Sequence, residues 1–152
     1  MANTYFKLYI HVIFAVKERV ACIPPTAQGT IFSYIAGIIN NLGHKALAVG
    51  GTDNHVHILF SYNPELKLSD TLRDIKAGSS KFINEQMFIR CRFEWQRGYA
   101  AFSCSQSQLD TAIRYIMHQP EHHKKISLHD EICRFMERYE IDFDEKYILQ
   151  EV

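Results

Sequence analysis

The 152-residue sequence predicts an α+β fold, a four-stranded antiparallel sheet built in the order β-α-β-β-α-β with two helices on one face. Two observations carry this expectation. Runs rich in β-branched and aromatic residues alternate with two long stretches whose apolar residues recur at helical spacing. The second and third extended runs are separated only by Gly50 to Asn54, a turn short enough to make them a hairpin. With 47% hydrophobic and 12% aromatic residues, the chain has the composition of one globular domain with a real core, neither disordered nor fibrous.

The first strand is Tyr5 to Phe14, and Pro24-Pro25-Thr26 breaks the chain after it. From about Ala27 to Leu42, Ile31, Tyr34, Ile35, Ile38, Ile39 and Leu42 form the stripe of an amphipathic helix, and Gly43 stands where a helix C-cap belongs. Lys45 to Val49 and His55 to Ser61 are the two arms of the hairpin. After Asn63-Pro64, a second helix opens at Leu68-Ser69-Asp70 and buries Leu72, Ile75, Ser79, Phe82 and Ile83. Phe93 to Phe102 is expected to be a fourth strand or a bent pair, with Gly98 allowing a bulge. This order is the ferredoxin-like arrangement, and it leaves the other face of the sheet free for a ligand.

The remaining chain lies beyond that unit. Ser105 or Ser107 can cap a third helix with Leu109, Ala112, Ile113, Ile116 and Met117 as its stripe. Ser127 to Val152 is read as a short acidic helix and tail whose Ile132, Phe135, Met136 and Tyr139 pack back on the body, with no catalytic role. The domain is thus single over 1–152, with a core at 1–103, a third helix at 105–125 and a tail at 127–152. No internal repeat or linker divides it.

Chemistry concentrates at His55-Val56-His57. Alternation along a strand sends both imidazoles to one side and Val56 to the other, a two-pronged clamp of the commonest metal-ligand type. The bland alternative is a half-buried strand with two histidines on its polar face. On the third helix Tyr115 and Gln119 are four residues apart and so share a face, presenting a phenol and an amide together. An ion held by two imidazoles needs a further ligand, and the Gln119 oxygen would bring Tyr115 beside it.

Formal net charge is zero, which argues against a coat that binds nucleic acid by overall positive charge. The distribution is uneven, however: Lys67 to Arg97 carries a net +3 and Asp130 to Val152 a net −5. Cys22, Cys91, Cys104 and Cys133 are widely spaced and form no zinc or redox motif. With no signal segment and no apolar run near the ~20 residues of a membrane span, the expected location is the cytoplasm.

His55-Val56-His57 followed by Tyr115 to Gln119 resembles the signature of the single-tyrosine HUH transposases of small bacterial insertion sequences, which include the REP-associated tyrosine transposases. The likeness extends over nearly the whole chain, in order, through His11 to Lys17, Lys76 to Lys81, Glu94 to Tyr99, Ala101 to Ser103 and Glu121 to His123. It implies a metal-dependent enzyme that cleaves and rejoins single-stranded DNA, with Tyr115 as the nucleophile forming a 5′-phosphotyrosyl intermediate. It implies a divalent ion on His55, His57 and Gln119, magnesium or manganese, with zinc an open alternative.

His118 is a rival third ligand that would make a three-histidine zinc centre, His122 and His123 follow one turn later, and Pro120 places an end or kink at Gln119. The family likeness further implies DNA hairpins as partners and a homodimer in which the tyrosine helix of one subunit can complete the site of the other. Lys7, Lys17, Arg73, Lys76, Lys81 and Arg97 are candidates for DNA phosphates, and His11 can lie near the ion or in the sheet. The alternative function is a non-catalytic or host-domesticated module that binds single-stranded nucleic acid on a ferredoxin-like sheet.

Overall fold

A computed structural model describes residues 2–19, 21–144 and 148. The elements run β1 (Tyr9–Ala15), α1 (Pro25–Leu42), β2 (Lys45–Gly51), β3 (His55–Ser61), α2 (Leu68–Glu85), β4 (Ala100–Cys104), α3 (Leu109–Met117), α4 (Gln119–His122) and α5 (Leu128–Arg138). The sheet order is β2-β3-β1-β4 and all pairings are antiparallel, so the ferredoxin-like expectation holds. Central β1 pairs Ala15 with His55 on one side and Ile13 with Ala100 on the other.

Alternation along the strands gives the sheet two different faces. Val12, Phe14, Val56, Ile58 and Phe60 point to α1 and α2, where Ile31, Ile35, Ile39, Leu72, Ile75 and Ile83 complete the main core. Helix α1 begins at a proline whose missing N–H costs nothing there, and it ends at Gly43, whose φ of 110° only glycine adopts readily. Trp95 locks α2 to the sheet by donating from Nε1 to Ser79 Oγ at 2.8 Å while packing edge-on against Phe14.

Two expectations need correction. The fourth strand is Ala100–Cys104 and not the run from Phe93, because Gly98 turns the chain at a φ of 80°. Before that turn the segment meets the end of β1 through an isolated Val16–Trp95 bridge, the Gln96 N–H donating to the Ala15 carbonyl and the Trp95 ring on Phe14, with no continuous strand pairing. The second sheet face is also not open. Ile116 of α3 packs on Tyr9, Ala48 and Leu59, while Leu128 and Ile132 of α5 pack on Ile13, Ala15 and Phe102. The amphipathic third and last helices spend their apolar stripes there, which is why that face is covered. Helix α5 starts as the sequence indicates, with Ser127 Oγ accepting from the Asp130 N–H at 3.1 Å.

None of the four cysteines is in a disulfide. Among the described residues, no helix is long and apolar enough to cross a membrane.

Candidate metal centre and tyrosine

β3 points His55 and His57 toward the covered face, and both are fully buried. Their rings are oriented from behind. His55 Nδ1 lies 2.8 Å from Asn54 Oδ1 and 2.9 Å from Thr52 Oγ1, and His57 Nδ1 lies 2.8 Å from His11 Nε2. When each Nδ1–H donates to its partner, each Nε2 turns a lone pair toward the space under α3 to α5.

Four donors converge in that space. Ligand atoms of His55, His57, His123 and Glu131 all lie within 4.8 Å of one another. Glu131 Oε1 is 3.0 Å from His57 Nε2, 3.1 Å from His123 Nε2 and 3.9 Å from His55 Nε2. Gln119 belongs to the same group, with its Oε1 3.0 Å from His55 Nε2 and its Nε2 donating to Glu131 Oε2 at 3.3 Å. This set of imidazole nitrogens, a carboxylate and an amide oxygen is suited to a divalent ion, and the cluster can bind one.

Tyr115 stands at the edge of the cluster. Its hydroxyl donates to Glu131 Oε2 and lies 3.2 Å from His122 Nε2, and its ring centroid is 5.7 Å from that of His57. Tyr115 and Gln119 are thus brought together, but not by one continuous helix. The helix ends at Met117, His118 leaves helical geometry at φ −111° and ψ 23°, and α4 restarts at Gln119 with Pro120 in its first turn. Proline disfavours helical geometry in the residue before it and supplies no N–H, and the break lies just ahead of it. The break sends exposed His118 outward, where its Nδ1 meets the Arg114 carbonyl at 2.7 Å, while His123 reaches the cluster.

Burial sets the electrostatics. It lowers His11 and His55 to about 3, with the neighbouring His57 adding to both, so these imidazoles stay neutral as ligands and their supports require. Burial also raises the Tyr115 phenol, and the hydrogen bond and charge of Glu131 raise it further. For Glu131 burial acts upward, but hydrogen bonds from His123 and His57 outweigh it and hold the carboxyl well below its usual range.

The basic candidates scatter. Lys17, Lys76, Lys81 and Arg97 line one groove between α2 and the 92–98 segment, whereas Lys7 and Arg73 lie outside it. Most are already engaged: Lys17 with Glu94 at 3.3 Å, Arg73 with Asp70 at 3.3 Å, and Lys81 with Glu85 at 3.9 Å. Lys76 donates to the carbonyls of Gln96 and Gly98 and so ties down the loop ahead of β4.

Sequence reasoning assigns no role to Glu131, and it places His123 only as one of the histidines that follow the rival ligand His118 by one turn. A signal for Glu131 is present: it falls in the buried stripe of Leu128, Ile132 and Phe135, where an unpaired carboxylate is not expected.

Residues 4–119 match the family model described as Transposase IS200 like. The chain belongs to the IS200-like transposase family. That membership makes it a DNA-processing enzyme, and the matched span runs from before β1 to Gln119. His123 and Glu131 of this IS200-like transposase lie beyond the matched span. Its fold is similar to that of a candidate transposase from Deinococcus radiodurans R1, at 18% identity and a TM-score of 0.62, covering 77% of this chain and 96% of that one. It is also similar to a REP-associated tyrosine transposase bound to a REP hairpin, at 14% identity and a TM-score of 0.59, covering 89% and 86%. The comparison with curated proteins finds no match.

Proposed function

We propose that this IS200-like transposase cleaves and rejoins single-stranded DNA through a 5′-phosphotyrosyl intermediate on Tyr115, acting in the cytoplasm. The observation that carries the reading is the Tyr115 hydroxyl bonded to Glu131 at the edge of a buried cluster of ion-binding side chains. The phenolic Oη attacks the scissile phosphorus, its proton passes to Glu131 Oε2, and the O3′ of the strand leaves as a hydroxyl after taking up a proton. The phosphodiester is exchanged for a phosphotyrosyl ester of similar energy, so the reverse attack by a 3′-hydroxyl rejoins DNA without ATP.

His55, His57 and Gln119 would hold a divalent ion, with His123 and Glu131 as further donors. A bound ion supplies charge neutralisation at the phosphate under attack and at the departing oxygen. Among magnesium, manganese and zinc, the nitrogen-rich set favours manganese or zinc. Hairpin DNA is the proposed partner, supported by the solved relative that carries a REP hairpin. The groove holding Lys17, Lys76, Lys81 and Arg97 is the proposed contact for duplex phosphates, with Arg73 on the same helix α2 and Lys7 as separate candidates. A homodimer remains part of the proposal. Tyr115 sits beside the histidines of its own chain, so one chain already joins nucleophile and ion site.

The test is a covalent-adduct assay on a denaturing gel. Wild type and Tyr115→Phe are incubated with labelled single strands from the flanks of the coding region, with manganese, magnesium or chelator. A metal-dependent adduct that vanishes in Tyr115→Phe is expected. Strand binding with no adduct under any condition would overturn the reading in favour of a binding module.

A further inference from the structure

Helix α5 brings more than Glu131 to the tyrosine. A cavity of about 520 Å³ is lined at once by Tyr115 and Glu131 and by Arg134 and Arg138 of α5, a size that ligand sites commonly have. The two arginines are four residues apart and project from one face of the helix. Like charges at that spacing repel, and among the described residues neither guanidinium is in an ion pair. Arg138 instead lies over the Phe135 ring, its Cζ 5.7 Å from the centroid. This pair is not a by-product of a basic segment, since the chain from Asp130 onward carries a net −5.

Their charge is felt at the chemistry. Burial raises the Tyr115 phenol and lowers His122; Arg138 works against the first shift, and Arg134 adds to the second after the other charges around His122. Across the cavity, Gln108 and Thr111 offer neutral hydrogen-bonding groups, so nothing on that wall repels an anion. The cavity opens to solvent beside the two exposed arginines, so a strand can reach Tyr115 past them.

We propose that Arg134 and Arg138 bind phosphates of the single strand adjoining the bond that Tyr115 attacks, making α5 a phosphate clamp over the nucleophile. The proposal rests on reading Tyr115 as the nucleophile. Guanidinium forks match phosphate oxygens in pairs, and their fixed spacing along the helix sets the register of the strand.

The experiment uses the full chain with Arg134→Gln, Arg138→Gln and the double variant. Binding of a labelled single-stranded oligonucleotide is followed by anisotropy over a series of salt concentrations, beside wild-type adduct formation on a denaturing gel. Each substitution is expected to weaken binding several-fold and to reduce the slope of log K against log salt by about 0.7, the share of one phosphate contact on a single strand. Arg→Lys at each position should keep the slope while losing part of the affinity. Both arginines are exposed, and unchanged melting curves confirm that the variants fold. An unchanged slope in the folded double variant overturns the clamp. Loss of the wild-type adduct on every strand overturns the transesterase reading separately, and the slopes still decide the clamp.

Discussion

Glu131 on α5 accepts the hydrogen bond of the Tyr115 hydroxyl from α3, although the two lie 16 residues apart on separate helices. The same carboxylate also meets His57 and His123, so one buried side chain couples the phenol to the ion-binding cluster. Glu131→Gln keeps the shape but removes the proton acceptor. The rate of adduct formation should fall by roughly 10²–10⁴-fold, the usual range for a general base. Single-turnover kinetics at saturating metal and strand measure this. A rate within threefold of wild type would remove Glu131 from the chemistry.

The buried histidines make the metal-free protein sensitive to acid. His11 and His55 have folded values of about 3, far below the 6.5 of the unfolded chain. The unfolded state therefore binds more protons between these limits, and stability is lost as pH falls from 6.5 toward 3. Each histidine should cost about 2 kcal/mol between pH 6.5 and pH 5. Urea denaturation of the metal-free protein at the two pH values measures the loss, and His11→Gln should reduce it. Equal midpoints at both pH values would contradict the burial argument.

How much of this is legible in the sequence depends on what kind of signal each part leaves. The order of strands and helices along the chain, and both core helices, follow from local periodicity, and Gly43 marks its helix end by chemistry that only glycine supplies readily. His55 and His57 share a face by strand geometry alone. The fourth strand is expected too early because Phe93 and Trp95 are core anchors of a loop, which composition cannot distinguish from strand residues. Pro120 announces the helix break at His118, but where His123 and Glu131 then go is set by the path after that break and the return of α5. Those are tertiary facts with no local period. The covered sheet face escapes the sequence for the same reason.

Asn54 supports the centre without touching the ion-binding side. Its Oδ1 is 2.8 Å from His55 Nδ1, while its backbone carbonyl separately accepts the Val16 N–H. Asn54→Ala thus removes one of the two supports of the imidazole, leaving Thr52 Oγ1 at 2.9 Å, and keeps the chain path intact. Metal affinity should fall by about 10–100-fold, as for other groups that orient ligating histidines. Titration calorimetry with manganese and zinc checks this against an unchanged circular dichroism spectrum.

Gly50 controls how closely the tyrosine helix approaches the sheet. A Cβ at that position would stand 2.5 Å from the Ile116 carbonyl oxygen, in the backbone next to Tyr115. No rotamer change relieves that contact, so α3 must move. Gly50→Ala should cost about 1–3 kcal/mol of stability by overpacking and should slow adduct formation by displacing the phenol from Glu131. Gly29 provides the comparison. It lies in α1, and a methyl group added there would meet nothing within 4 Å, so Gly29→Ala should stabilise by about 0.5–1 kcal/mol and leave the adduct rate alone. Urea midpoints and adduct rates of the two variants separate a general glycine effect from the specific approach of α3. A Gly50→Ala protein as stable and active as wild type would show that the tyrosine helix is not held by this contact.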